Sequence, residues 1–113
     1  MAYSEILAAR VAEALRKAGK VETKKMMGGF CFMVDDKMAL GVSGEDLMVR
    51  LDPEIRARAL KRKGCREMDF TGRPMKAFVF VGPEGTRTDK DLLGWVDLAL
   101  EFNPRAKSSK KKR

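Results

Sequence analysis

The chain contains no histidine. That absence removes the commonest general base and metal-ligating side chain at neutral pH. A Cys–His pair and a Ser–His–Asp triad are excluded with it. Two cysteines, Cys31 and Cys65, are too few for a disulfide framework in 113 residues, so reduced thiols are expected. No apolar run approaches the roughly 20 residues of a membrane span. Residues 1–20 interrupt their apolar positions with Glu5, Arg10, Glu13, Arg16 and Lys17, unlike a secretory leader. A cytoplasmic location without membrane contact is expected by elimination.

The residues present describe one compact unit. A chain of 113 residues fits a single domain, and at this size it buries roughly two thirds of the surface its unfolded form exposes. With 44% hydrophobic and 35% charged residues, the composition is that of a globular domain. The net charge of +8 is unevenly spread. Arg105, Lys107, Lys110, Lys111, Lys112 and Arg113 are six bases with no acid among them, and without them 18 bases face 16 acids, a net of +2. We therefore expect a nearly neutral folded domain over residues 1–104 and a disordered basic tail over residues 105–113.

Periodicity predicts the elements. Leu7, Val11, Ala14, Leu15 and Ala18 form a helical stripe over residues 3–18, with Ser4 as N-cap and Gly19 at the stop. Residues 20–25 read as a charged approach. Gly28-Gly29 reads as a bend or bulge where the chain enters a strand; no phosphate-loop spacing is present, and the pair does not open a helix. Residues 30–34, 37–42 and 47–51 are short apolar runs joined by turn residues, which predicts a three-stranded antiparallel meander. Asp35-Asp36 is a poorer two-residue turn than Asp-Gly. Asp52-Pro53 opens a helix predicted to reach Lys63 and stop at Gly64, with few apolar residues but with Arg56, Arg58, Lys61, Arg62 and Lys63. Residues 66–70 and 75–81 read as strands around a Thr71-Gly72-Arg73-Pro74 turn. Thr88 and Asp91 make a capping box for a last helix carrying Leu92, Trp95, Val96, Ala99 and Leu100, ending near Asn103-Pro104. The order α-β-β-β-α-β-β-α predicts a two-layer α+β domain with a mostly antiparallel sheet.

The stretch Lys24-Lys25-Met26-Met27-Gly28-Gly29-Phe30, followed by an apolar hairpin, resembles the entry signature of the TfoX N-terminal domain, a family of competence regulators. The Gly72-Arg73-Pro74-Met75 turn and the final helix with Leu93 and Trp95 resemble it too, and the resemblance spans roughly residues 4–103. It implies a secretion-chaperone-like α+β fold and a role near transcriptional regulation. The family offers no catalytic residues to carry over. Met27 departs from the family's usual aromatic, and a short basic tail stands where TfoX regulators carry a second domain.

These readings lead to a binding or regulatory module and not an enzyme, with no catalytic, cofactor or metal residues expected. Asp35-Asp36 and Glu45-Asp46 read as solvated turn acids, and Cys31, between two phenylalanines, as an inert core thiol. The run Phe30 to Val34 is apolar on both faces, which leaves two readings open: homodimerisation through the sheet or its edge, or a strand buried in the centre of the monomer. The expected partner is a protein of unknown identity. Nucleic acid is a second expected contact, through Arg105, Lys107, Lys110, Lys111, Lys112 and Arg113. If all six engaged phosphates, log K would fall with log salt at a slope of about −5. No aromatic is interleaved among them, so such contact would be non-specific. The alternatives are an adaptor of chaperone-like dimeric form, and a small sensor or enzyme using the Cys31 and Cys65 thiols.

Overall fold

The computed structural model describes residues 3–16, 18, 20–26, 29–35, 37–70 and 73–105. Helix α1 (Glu5–Ala14) starts where expected, because the Ser4 hydroxyl accepts the Leu7 N–H at 3.1 Å. Its stripe turns Leu7, Ala8 and Val11 inward, with Leu15 just beyond its end. Gly19, the expected stop, lies outside the described residues.

Six strands form one sheet: β1 (Val21–Met26), β2 (Gly29–Val34), β3 (Lys37–Ser43), β4 (Asp46–Arg50), β5 (Cys65–Phe70) and β6 (Arg73–Val81). Their spatial order is β1-β2-β3-β4-β6-β5, and every neighbouring pair is antiparallel. The two-layer α+β architecture and the meander are as expected. Residues 20–25 are not merely an approach, however, since most of them form the edge strand β1. An edge strand needs only one burying face, and among the described side chains of β1 it is Val21 that packs on the core, opposite Val34.

The hairpin turns follow their residues. Asp35 adopts φ 53°, the left-handed region that Asp tolerates. Its N–H donates to the Lys20 carbonyl at 2.8 Å, which ties the β2–β3 turn to the start of β1. A register shift between Phe32 and Met33 lies close to this Asp-Asp turn. Gly44 takes φ 59° between β3 and β4, and its carbonyl accepts the Ser4 N–H at 2.6 Å.

The second helix is shorter than its sequence suggested. Pro53–Ile55 is a 3-10 turn, capped by the Asp52 carboxylate on the Glu54 N–H at 2.9 Å, and α2 (Arg56–Ala59) is a single turn. Arg58 and Arg62 would stand four residues apart on a continued helix, a like-charge spacing that opposes it. Only Ala59 of α2 is fully buried. Gly64 then takes φ 80° and a backbone bond to Gly82 at 2.8 Å returns the chain to the sheet.

Helix α3 (Asp89–Phe102) begins at Thr88, whose hydroxyl accepts the Asp91 N–H at 3.1 Å. Both long helices pack on one face of the sheet. There Phe32, Val34, Leu40, Val42, Leu47, Val49, Val79 and Val81 meet Leu7, Val11, Leu15, Leu92, Trp95, Val96 and Ala99. The 3-10 turn Asn103–Arg105 fastens the end of α3: buried Asn103 donates to the Val34 carbonyl at 3.2 Å, and Lys37 Nζ donates to the Asn103 carbonyl at 3.1 Å.

Candidate binding surfaces

Three regions of the fold carry chemistry that packing alone does not absorb. The first is a groove between α1 and α3. Ala9, Ala14 and Leu92 are among the residues lining it, with Ile6 and Leu93 on its walls and Arg10, Glu13, Arg16 and Asp89 around its rim; its volume is about 810 Å³. Ile6 is 78% exposed and Leu93 45%, the two large apolar side chains most exposed among the described residues. Both stand off the buried stripe of their helix: Leu7, Ala8 and Val11 turn inward beside Ile6, and Leu92, Trp95 and Val96 beside Leu93. Large apolar residues off the stripe are the sequence signal for this groove, and a reading of the stripe alone passes over them. Arg10 reaches Asp89 at 3.3 Å and ties the helices together at the rim.

The second region is the basic segment around α2. Arg56 pairs with Glu67 at 3.6 Å, and Arg66 with Asp46 at 2.8 Å. Arg58, Lys61, Arg62 and Lys63 are exposed and, among the described residues, have no acidic partner. The Arg62 guanidinium lies over the Trp95 ring, 4.5 Å from its centroid. Of the six tail residues expected to contact nucleic acid, Arg105 closes the last 3-10 turn, and Lys107, Lys110, Lys111, Lys112 and Arg113 lie outside the described residues.

The third region is the sheet face away from the helices, where Cys31, Met33, Met38 and Met48 are buried together against Phe78 and Phe80. Register aligns Lys24, Cys31, Gly41, Met48, Phe80 and Arg66 in one row across the sheet. At Gly41 the absent side chain makes room for neighbours: a Cβ there would lie 2.6 Å from Met48 Cε and 3.4 Å from Cys31 Sγ. Arg50 edges this face, 5.8 Å from the Phe78 ring centroid and donating to the Met38 carbonyl at 3.4 Å, and burial lowers its pKa. Strand β2 is thus buried on both faces and flanked by β1 and β3, so the sheet edges belong to β1 and β5.

The geometry opposes joint thiol chemistry. Cys31 belongs to the methionine face, whereas Cys65 packs against the helix-side core, so the two thiols lie on opposite faces of the sheet. Burial pushes the Cys31 thiol up, and it raises Cys65 to about 11 although Arg62, Arg56 and Arg66 pull the other way. Reactive thiols need the opposite shift. Among the described residues, no group of three or more His, Cys, Asp or Glu side chains is placed to hold a metal ion, and no helix is long and apolar enough to cross a membrane.

No curated protein matches the chain. Residues 13–103 match the family model of the TfoX N-terminal domain, a span running from inside α1 to the Asn103 hook and including the whole sheet. With four fifths of its length so matched, the chain belongs to the TfoX N-terminal domain family.

Proposed function

We propose that this protein is a non-catalytic regulatory module that binds an amphipathic helix of a protein partner in the α1–α3 groove. The observation that carries this reading is the outward placement of Ile6 and Leu93 on two helices whose other large apolar side chains turn inward. Alanines at positions 9 and 14 let a partner backbone approach closely, and the mixed charges of Arg10, Glu13, Arg16 and Asp89 would orient it. Helix-in-groove recognition uses such an apolar floor with a polar rim. The family membership supports a regulatory role of this kind, and a place near transcription is its natural extension.

The test compares the wild type with Ile6→Arg and Leu93→Arg. Both side chains are exposed, so stability should change by no more than about 0.5 kcal/mol. A partner isolated on the wild-type protein should bind each variant at least tenfold more weakly, and a photo-crosslinker at Ala9 should attach to it. Equal affinity for all three proteins would remove the groove from consideration.

A second reading, weak non-specific contact with nucleic acid through the basic tail, is favoured by the charge distribution. Six of the 24 bases lie in the last nine residues without an acid. Anisotropy titration of a labelled random duplex at two salt concentrations, with and without neutralisation of Lys107, Lys110, Lys111, Lys112 and Arg113 to glutamine, tests it. Salt-sensitive binding that the neutralised tail weakens is the expected result.

A further inference from the structure

We propose that Arg58, Lys61, Arg62 and Lys63 form a phosphate-contacting ridge on the folded body that receives the backbone of duplex nucleic acid. This inference rests on the nucleic-acid reading above and assigns a surface that the tail alone does not provide. Residues 56–66 hold six bases and no acid. Two of the six, Arg56 and Arg66, are neutralised by Glu67 and Asp46 from neighbouring strands. The remaining four are exposed without an acidic partner among the described residues. Clustered like charges repel one another, and an external anion would relieve that repulsion at the four cations that no acid offsets.

The four cations sit on a firm base. The Asp52 cap and the Pro53–Ile55 turn fix the start of the segment. Gly64 fixes its end, where a Cβ would come within 2.8 Å of the Gly85 nitrogen. The Arg62 guanidinium carbon sits over the Trp95 ring, 4.5 Å from its centroid, and Gly94 leaves it room, since a Cβ there would lie 3.3 Å from an Arg62 terminal nitrogen. A stacked guanidinium keeps its in-plane N–H donors available for phosphate oxygens while losing little further freedom on binding. Arg58 and Arg62 flank a recess of about 200 Å³ floored by Ile55, Ala59 and Leu98.

Charge elsewhere reinforces the direction of approach. Setting aside the six bases of residues 56–66 and the six of the tail leaves 12 bases against 16 acids, a net of −4. In sum, therefore, the positive charge of the chain resides in these two segments. Leu98, on the floor of the recess, precedes the end of α3 at Phe102 by four residues, a rise of about 6 Å along the helix axis. Insertion into an anionic lipid surface would call in addition for exposed apolar side chains beside the cations. Ile6 and Leu93, the large apolar side chains exposed among the described residues, line the α1–α3 groove instead. Residues 56–66 hold no aromatic or amide side chain, and the cations there serve the backbone phosphates in this assignment.

The test is anisotropy titration of a labelled random-sequence duplex at several salt concentrations, using the full chain. The ridge variant carries Arg58→Gln, Lys61→Gln and Lys63→Gln, and a separate variant carries the neutralised tail. Unchanged thermal melting confirms that both fold. With three phosphate contacts removed, the slope of log K against log salt should flatten by about 2.7 in the ridge variant. Arg62→Lys, which keeps the charge and loses the stacked fork, should weaken binding several-fold. If the ridge variant binds like the wild type and only the tail variant is impaired, the ridge assignment is overturned and the nucleic-acid reading survives. If the wild type does not bind the duplex at low salt, both fall. Ridge-dependent binding to phosphatidylserine vesicles without duplex binding would overturn the assignment in favour of a lipid surface.

Discussion

Trp95 Nε1 donates a hydrogen bond of 3.2 Å to the carbonyl of buried Gly85, joining α3 to the turn after β6. Trp95 is the only tryptophan and is 1% exposed. Replacing it with phenylalanine retains much of the apolar volume but strands the Gly85 carbonyl, at a cost of about 1–3 kcal/mol. Alanine also opens a cavity and should cost about 3–5 kcal/mol. Urea unfolding followed by circular dichroism measures both. Near-equal losses in the two variants would show that the hydrogen bond, not the ring volume, dominates.

Two glycines in adjacent strands should respond unequally to alanine. A Cβ at Gly29 would collide with the Val42 carbonyl, a backbone atom held by β2–β3 pairing. At Gly41 it would meet the terminal methyl of Met48, the far end of a flexible side chain. Gly29→Ala is therefore expected to cost about 1–3 kcal/mol through overpacking. Gly41→Ala should be milder, with Met48 turning aside. Thermal melts of the two variants provide the comparison, and equal destabilisation would contradict the distinction.

Cys65 gives stability a specific pH dependence. Its thiol ionises at about 11 in the folded protein against an ordinary 9.0. Below pH 9 both states hold the proton. Between 9 and about 11 the unfolded thiol is ionised while the folded one is not, so the unfolded state binds fewer protons and stability falls as pH rises. Other groups titrate in this range, so the informative quantity is a difference. The stability gap between wild type and Cys65→Ala should shrink from pH 8 to pH 10.5 in urea titrations. A constant gap would mean that burial does not hold the thiol neutral.

Much of this fold was legible because its local signals agree with its tertiary ones. Ser4, Asp52 and Thr88 cap the elements they were expected to cap. The apolar runs around Phe32, Leu40 and Val49 pair in the expected meander. The features that escaped depended on neighbours. Val21-Glu22-Thr23-Lys24-Lys25 offers one apolar side chain, and only the ladder to β2 makes it a strand. The basic run after Pro53 has the length of a helix but not the buried face of one, and α2 ends after one turn. The α1–α3 groove was invisible as a groove because two helices distant in sequence must be brought together to form it. The stacking of Arg62 on Trp95 joins residues 33 apart and has no local signature.

The strand order also constrains how the chain can assemble. Four of the five strand pairings join strands consecutive in sequence; only β4 with β6 does not. During synthesis the first four strands can zip together by short loop closures before β6 leaves the ribosome, with the inner flank of β4 still bare. Leu47, Met48 and Val49 then wait for Val79, Phe80 and Val81 to cover that flank. Nascent chains stalled before β6 would present a sticky open border, so the final third of the polypeptide closes the sheet against self-association as well as completing its core.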